Sequence, residues 1–257
     1  MDDWFNEIAA GCALSPDVEH ELLTSGFVII PGPVTAPQLE QLAQAYDAAV
    51  AGAAPADVRI GSTTVRVHGL VNHGPEFDEL YIYRPILEAC CRMIGQPFKL
   101  SSLLARTVRP RAEAQPLHVD FRADRKGWPM IGFILLVDDF KTDNGGTRFV
   151  PRSHTWSAVP SEIMHDPAAY HEQQVLACGP AGSVIVYNGS VWHGHTSNHT
   201  DQPRRSIQGA YIRRETETAV NQAARIRLDT LRRIGSLAKY VLAVKTREIN
   251  GRHALRF

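Results

Sequence analysis

The feature that most constrains the fold is a series of short apolar or alternating segments, which begins at residue 98 and is repeatedly interrupted by Gly and Pro. Many short strands with such interruptions are typical of an antiparallel sandwich or a closed jelly roll. The segment 128–137 is apolar at nearly every position, so we expect it to be buried on both faces. The predicted strands of this core, about residues 98–214, are residues 98–108, 128–137, 174–177, 183–187 and 204–213.

The residues before this core are predicted to form a helical layer, residues 1–97. Ser15 followed by Pro16 predicts the start of a helix that ends at Gly26, and Thr35 predicts the start of a second helix through about residue 51. A strand over 27–30 separates them, and residues 85–94 predict a third helix that ends at Gly95. The segment 69–79 has no clear period, and it is either a substrate loop or an ordinary surface connection.

After the core, apolar residues recur at helical spacing and predict one long C-terminal helix over 218–245. The apolar residues that carry this pattern are Ile226, Leu228, Leu231, Ile234, Leu237 and Val241. No internal repeat or low-complexity segment interrupts the chain. We therefore expect residues 1–257 to form a single domain that is mainly β with flanking α-helices.

Composition excludes several classes of partner. The formal net charge of +0 gives no attraction to nucleic acid or to an anionic membrane. The acidic N-terminus lacks the basic start and apolar centre of a signal peptide, and the longest apolar stretch is only strand-sized. Four cysteines without a Cys-x-x-Cys pair predict reduced thiols and a cytoplasmic protein. The oligomeric state is left open.

His118 and Asp120 are two residues apart, so on an extended strand both side chains point to one face and can reach one ion. Two histidines and one carboxylate with open positions left over are the ligand set of non-haem Fe(II) oxygenases. His193, His195 and His199 are the candidates for the second histidine. His193 is preferred because it ends the apolar strand, where the sheet can still orient its side chain. The alternative is an accidental His-x-Asp triplet in a solvated turn.

Arg204 and Ser206 open the last predicted core strand, where they share one face and Arg205 points the other way. A fixed guanidinium can hold a carboxylate through two parallel hydrogen bonds. The pair therefore predicts a carboxylate site beside the metal site. The alternative is an ordinary arginine on the barrel surface.

The order of these motifs resembles the phytanoyl-CoA dioxygenase family over roughly residues 20–214. The most specific segment runs from His193 through Asn198 to Arg204 and resembles the family's His-Gly-…-Asn-…-Arg pattern. Residues 144–154 resemble the family's Asn-Gly-…-Pro-Gly-Ser-His turn, but Arg152 stands where the family usually has Gly. The resemblance implies a double-stranded β-helix with the N-terminal helical layer packed outside it.

The resemblance also implies an Fe(II)- and 2-oxoglutarate-dependent dioxygenase, which uses O2 to hydroxylate or otherwise oxidise an unactivated C–H of a small molecule. Succinate and CO2 would be the co-products. His118, Asp120 and His193 would bind the iron, and Arg204 and Ser206 would hold the far carboxylate of 2-oxoglutarate. Related halogenases have a small residue where Asp120 stands, so the carboxylate here favours oxygenation.

Four further residues are candidates for binding the substrate: Arg106, Gln115, Trp192 and His154. Arg106 could instead hold the 1-carboxylate of 2-oxoglutarate, and Trp192 could be core packing. Two other functions remain open. One is a cupin-like metal enzyme that does not use 2-oxoglutarate, and the other is a non-catalytic binding protein on the same barrel. The substrate itself is not specified by the sequence.

Overall fold

A computed structural model describes residues 3–218 and 220–244 of the chain. Its helices are α1 Trp4–Ala9, α2 Pro16–Ser25, α3 Ala36–Ala51, α4 Arg84–Ile94, α5 Pro160–Ile163, α6 Gln222–Arg225, α7 Leu228–Arg233 and α8 Ser236–Val241. Its strands are β1 Phe27–Pro31, β2 Val58–Ile60, β3 Thr64–His68, β4 Phe98–Val108, β5 Met130–Leu136, β6 Thr147–Val150, β7 Val175–Ala177, β8 Ser183–Asn188, β9 Trp192–His195 and β10 Arg204–Arg213.

The strands form two antiparallel sheets. The major sheet has the order β1-β8-β5-β10-β4-β3-β2, and the minor sheet has the order β7-β6-β9. One cavity is lined by residues of both sheets, so the sheets face each other across it. This arrangement confirms the predicted mainly-β sandwich, although β6 and β9 were not predicted as strands. The prediction of a single domain over 1–257 stays a prediction.

Register across the major sheet decides which side chains reach the cavity. Ala105, Ile207 and Leu135 lie in one row of β4, β10 and β5, and all three pack in the core beneath the helices. The next row has Arg106 beside Ser206 and faces the other way, and Arg106 lines the cavity while Ser206 is fully buried. The two-residue period of each strand therefore separates an apolar layer from a polar site.

The interior strand β5 is buried along its whole length, as predicted. Its outward residues Ile131 and Phe133 join the core under the helices. Its inward residues Ile134 and Leu136 join a second apolar cluster between the two sheets. A strand with both faces covered needs apolar residues at every position, which is why this segment shows no alternation.

The helix boundaries of the N-terminal layer follow the capping residues. The Ser15 hydroxyl accepts a hydrogen bond from Val18 N at the start of α2, which ends at Gly26 with a φ of 85°. Helix α4 ends at Gly95 with a φ of 69°. A left-handed residue at a helix end is favourable for Gly because Gly has no Cβ. The predicted boundaries are confirmed in both helices.

The prediction of one long C-terminal helix is wrong, because the chain breaks into α6, α7 and α8. At the first break Ile226 and Arg227 are extended, with ψ of 129° and 156°. The Asn72 side chain accepts from Arg227 N and donates to Arg225 O, each at 3.0 Å, so it satisfies backbone groups that the break leaves free. Gly235 makes the second break. Residues 219 and 245 of the predicted helix lie outside the described residues.

The segment 69–79 does not line the cavity, so the hypothesis of a substrate loop is wrong. It forms two 3-10 helices, Leu70–Asn72 and Pro75–Leu80. Leu70 and Phe77 are fully buried in the core beneath the helices. The preceding strand β3 reaches the cavity instead, through Arg66 and His68.

Arg152 adopts the left-handed conformation, with a φ of 70°. Its backbone N–H donates to Ser25 O at 3.0 Å, which ties the turn after β6 to the end of α2. The family's usual Gly at this position is explained by that conformation, which costs a non-Gly residue about 1–2 kcal/mol. The departure from the family pattern therefore keeps the turn at some cost in stability.

Two properties of the chain outside the site complete the fold. Within residues 3–218 and 220–244, none of the helices combines the length and the apolar character needed to cross a membrane. All four cysteines are unpaired, and Cys90 and Cys91 are buried.

Candidate metal centre

His118 lies on a short extended segment that pairs with β9 through a single bridge. His118 N donates to His193 O, and His193 N donates to His118 O, each at 3.0 Å. The extended segment expected for the His-x-Asp motif is therefore paired at a single residue only. A Cβ on Gly194 would lie 2.9 Å from Gln115 O, so only Gly allows the two segments to approach this closely.

The prediction that His193 ends the preceding apolar strand is wrong. That strand, β8, ends at Asn188, and the chain then turns and enters β9 in the minor sheet. His193 and His195 are two apart in β9, so both face the cavity. The change of sheet brings His193 opposite His118.

His118, Asp120 and His193 form one cluster in the cavity wall. Their ligand atoms all lie within 4.8 Å of one another. Asp120 Oδ1 is 3.7 Å from His118 Nε2, and Asp120 Oδ2 is 3.6 Å from His193 Nε2. Two imidazoles and one carboxylate in this arrangement suit a divalent transition metal and leave coordination positions on the cavity side.

The backbone orients both imidazoles for this role. His118 Nδ1 lies 3.1 Å from Pro116 O, and His193 Nδ1 lies 2.9 Å from Val191 O. A ring that donates from Nδ1 to a carbonyl presents its unprotonated Nε2 as a ligand atom. Both Nε2 atoms point toward Asp120, which is the orientation a metal site requires.

The protonation states also suit metal binding. Burial and, to a smaller extent, neighbouring His193 together lower the pKa of His118 to about 4 against the attraction of Asp120. Burial alone would raise the pKa of Asp120, but His193, His118 and the Tyr187 hydroxyl outweigh it and hold that pKa below its usual value. At neutral pH His118 is therefore uncharged and Asp120 ionised, which are the forms that bind metals.

Tyr187 is a site residue that the sequence analysis missed. Its hydroxyl donates to Asp120 Oδ2 at 2.7 Å, and burial raises its pKa well above the usual value. The signal that could have found it is Gly132, in the middle of the apolar strand β5. A Cβ on Gly132 would lie 2.3 Å from the Tyr187 ring, so the glycine makes space for that ring.

We expect Tyr187→Phe to weaken metal binding without destroying the fold. The ring still fills the space above Gly132, but Asp120 loses the hydrogen bond that orients it. Loss of such a partner typically costs about 10- to 100-fold in metal affinity. Competition with a metal chelator measures the effect, and Tyr211→Phe, in the core beneath the helices, is the control. Unchanged affinity in Tyr187→Phe would show that the hydroxyl does not orient the carboxylate.

The other candidate histidines lack a free ligand atom or lie outside the cavity. His195 Nε2 is 3.1 Å from Thr63 Oγ1, and His195 Nδ1 is 2.9 Å from Thr196 O. His199 is exposed in the turn before β10. Of the three candidates, His193 is the one that the structure places against His118 and Asp120.

His195 makes the stability of the metal-free protein pH-dependent. Burial lowers its pKa to about 3, aided by Arg106 and Arg204 and opposed by the hydrogen bond to Thr196. As the pH falls below the usual value of 6.5, the unfolded chain takes up a proton that the folded chain does not. From pH 7 to pH 5 this lowers the free energy of unfolding by about 2 kcal/mol. We expect the free energy of unfolding of His195→Gln to fall by correspondingly less between pH 7 and pH 5, as measured by urea unfolding at both pH values. A fall equal to that of wild type would contradict the lowered pKa of His195.

Arg204 lies at the base of the cavity and is only 2% exposed. Its guanidinium stacks on the Phe140 ring at 3.9 Å and donates to Gly145 O at 2.7 Å and to Ser206 Oγ at 3.2 Å. Its Nε has no hydrogen-bond partner. Among the described residues no carboxylate forms an ion pair with it. Burial of a guanidinium without a counter-ion is costly, so this position favours an anion as a ligand.

Arg205 points to the opposite side of the major sheet, as predicted from the strand period. Its guanidinium and backbone N–H donate to Asp138, and the guanidinium also reaches Asp47 at 2.8 Å. Arg205 is therefore neutralised outside the cavity, whereas Arg204 is not.

Arg106 and Gln115, two of the four candidates for substrate binding, line the cavity, which has a volume of about 480 Å³. Arg106 donates to Gln115 Oε1 at 2.6 Å, and Gln115 Nε2 lies 3.4 Å from His118 Nε2. This chain of contacts places the Arg106 guanidinium close to the metal cluster. The volume is in the range of small-molecule sites.

Trp192 and His154 do not line this cavity, so the structure does not bring them to the metal cluster, and their role in substrate binding stays a prediction. Trp192 faces away from His193 and is fully buried with Leu117 and Val150. His154 Nε2 is 3.1 Å from Leu23 O, so it holds helix α2. Trp192 points away from the cavity because neighbours in a strand face opposite sides.

Solved structures with the same fold include SnoK, a non-haem α-ketoglutarate-dependent carbocyclase from nogalamycin biosynthesis. Its TM-score is 0.64 at 16% identity, and the alignment covers 78% of this chain and 85% of that one. HygX from Streptomyces hygroscopicus, with nickel and 2-oxoglutarate bound, has a TM-score of 0.62 at 16% identity over 79% of this chain and 89% of that one. The likeness confirms the predicted double-stranded β-helix fold.

Related sequences are named dioxygenases of fungi. Dioxygenase sphC of Aspergillus fumigatus is 25% identical over 205 residues, or 74% of this chain and 54% of that protein. Multifunctional dioxygenase prhA of Penicillium brasilianum is 28% identical over 210 residues, or 74% of this chain and 69% of that protein. The chain spans about a third to two thirds of the length of the curated relatives it matches first.

The model of the phytanoyl-CoA dioxygenase (PhyH) family matches residues 23–206. This range includes the metal cluster, Arg204 and Ser206, and it agrees with the resemblance seen in the motifs. The chain belongs to the phytanoyl-CoA dioxygenase family.

Proposed function

We propose that this protein is an Fe(II)- and 2-oxoglutarate-dependent dioxygenase that hydroxylates or otherwise oxidises an unactivated C–H of a small molecule. His118, Asp120 and His193 would hold the iron, and Arg204 with Ser206 would hold the far carboxylate of 2-oxoglutarate. When bound, iron and 2-oxoglutarate together activate O2 for this oxidation, with succinate and CO2 as co-products.

The observation that supports the proposal most strongly is the unneutralised Arg204 in the same cavity as the His-Asp-His cluster. A buried charge without an ion-pair partner is costly unless a ligand supplies the counter-ion. A dicarboxylate that reaches from the metal to Arg204 meets both requirements, because one end can bind the metal and the other the guanidinium. A metal enzyme that used no 2-oxoglutarate would have no need for this arginine.

The chain's own residues position the reactants and exclude water from part of the cavity. Tyr187 and the carbonyls of Pro116 and Val191 orient the three ligands. Ile134 and Met130 supply apolar wall on the major sheet. The carboxylate of Asp120 would be a ligand to the iron where halogenases have a small residue, so we propose oxygenation rather than halogenation. A chlorinated product would contradict this.

The test is to load the metal-free protein with Fe(II) under anaerobic conditions, titrate it with 2-oxoglutarate, and then admit O2. We expect one iron per chain, a metal-to-ligand charge-transfer absorption on titration, and release of succinate. Metal binding without that absorption or succinate would indicate the cupin-like alternative. Failure to bind metal would indicate a non-catalytic binding protein.

A further inference from the structure

Two arginines face the cavity from neighbouring strands without a carboxylate partner. Arg66 of β3 and Arg106 of β4 lie directly opposite each other in the antiparallel register. Both line the cavity, and Arg106 is 9% exposed while Arg66 is half-buried. Like charges at such a pair lie about 5 Å apart at Cβ and destabilise the sheet. Among the described residues neither arginine forms an ion pair.

The contacts of Arg106 leave most of its hydrogen-bonding capacity unused. Its guanidinium donates only to two neutral amides, Gln115 Oε1 at 2.6 Å and Gln208 Oε1 at 3.3 Å, and its Nε is buried without a partner. Arg148, a buried arginine of the minor sheet, also has an Nε without a partner, but its terminal nitrogens differ from those of Arg106. Its two terminal nitrogens donate to five oxygens of the surrounding chain. Arg148 is thus a structural arginine, whereas the Arg106 guanidinium faces the cavity with hydrogen-bond donors free for a ligand.

The charge balance of the cavity also favours the binding of an anion. Three guanidinium groups, of Arg66, Arg106 and Arg204, face the single carboxylate of Asp120. This is an excess of two positive charges. Burial lowers the pKa of Arg106 to about 10, so it remains charged at pH 7. A divalent metal and a dianionic 2-oxoglutarate cancel each other, so the excess of two charges persists in the loaded site.

We propose that the substrate is an anion whose carboxylate or phosphate group binds between Arg66 and Arg106. This inference rests on the proposed function and names the class of its substrate. Arg106 contacts Gln115, and Gln115 contacts His118, so an anion held there keeps its neighbouring carbons close to the metal cluster. Charge-assisted hydrogen bonds from two guanidiniums orient such a group strongly.

The test uses the anaerobic Fe(II) protein saturated with 2-oxoglutarate, so that Arg204 is already occupied. Three probes of similar shape are titrated by calorimetry: phenylacetate, phenyl phosphate and the neutral phenylacetamide. We expect at least one of the two anions to bind about tenfold or more tighter than the amide. The better anion identifies the group as carboxylate or phosphate. An amide that binds as tightly as both anions would overturn the proposal.

Variants locate the binding site of the preferred anion. Arg66→Gln and Arg106→Gln should each weaken it about tenfold or more and leave the binding of the amide unchanged. Arg106→Lys, which keeps the charge, should recover part of the loss. The matched control is Arg59→Gln, because Arg59 lies opposite Arg66 in β2 but is exposed and outside the cavity. If Arg59→Gln weakens binding of the anion equally, the effect is one of general charge, and the assignment of the site to Arg66 and Arg106 is overturned.

The same variants separate this inference from the proposed function. If wild type binds 2-oxoglutarate and releases succinate but shows no preference for anions, only the substrate class is wrong. If Arg106→Gln weakens the binding of 2-oxoglutarate but not that of the anion probe, Arg106 binds the cosubstrate. The proposed anion site between Arg66 and Arg106 is then overturned. If neither iron nor 2-oxoglutarate binds to wild type, the proposed function itself has failed.

Discussion

Replacement of His118, Asp120 or His193 by Ala is expected to abolish Fe(II) binding and succinate release. Each change removes one of three ligand atoms that lie within 4.8 Å of one another. Loss of an orienting partner of a ligand already costs about 10- to 100-fold in metal affinity, and loss of a ligand should cost more. Metal content after gel filtration and competition with a chelator measure the binding directly.

The matched control for this prediction is His195→Ala. His195 lies in the same strand as His193 and faces the same cavity, but Thr63 and Thr196 occupy its two ring nitrogens. We expect this variant to retain iron with close to wild-type affinity. If His195→Ala loses iron as severely as His193→Ala, the assignment of the second histidine ligand is wrong.

Arg204→Ala is expected to raise the dissociation constant of 2-oxoglutarate steeply while Fe(II) binding stays nearly intact. The guanidinium is 2% exposed, and no described residue neutralises it, so it depends on the ligand for its counter-ion. Loss of one partner of such a pair typically costs about 2–5 kcal/mol, or about 30- to several-thousand-fold in affinity. Arg204→Lys should recover only part of this, because Lys lacks the planar fork. Titration of the anaerobic Fe(II) protein, followed by charge-transfer absorption, measures both.

Arg205→Ala is the control for Arg204. Its guanidinium lies across the sheet and pairs with Asp138 and Asp47, so its loss can lower stability but should leave the dissociation constant of 2-oxoglutarate unchanged. An Arg204→Ala variant that titrates like wild type would show that the anchor of the cosubstrate has been misassigned. So would a loss of 2-oxoglutarate binding in Arg205→Ala.

The parts of the fold that follow from neighbouring residues could be predicted. Ser15, Gly26 and Gly95 set helix boundaries through hydrogen bonds and backbone angles within one turn, and these boundaries are confirmed. The opposite orientation of Arg204 and Arg205 follows from the two-residue period of a strand. The order of motifs was enough to identify the family, because that order places the metal and carboxylate motifs on particular strands.

The features that could not be predicted depend on contacts between segments far apart in the chain. The C-terminal pattern has helical spacing, but Asn72 stabilises a break at Ile226 that no nearby residue encodes. Tyr187 and Arg66 have no local motif. They line the cavity because the strand pairing of β8 and β3 places their side chains on that face of the major sheet. Sequence by itself thus determined the ends of α2 and α4, the opposite faces of Arg204 and Arg205, and the residue types of the site. The tertiary structure alone decided which distant side chains meet, because pairing between strands is set by burial of the whole sheet.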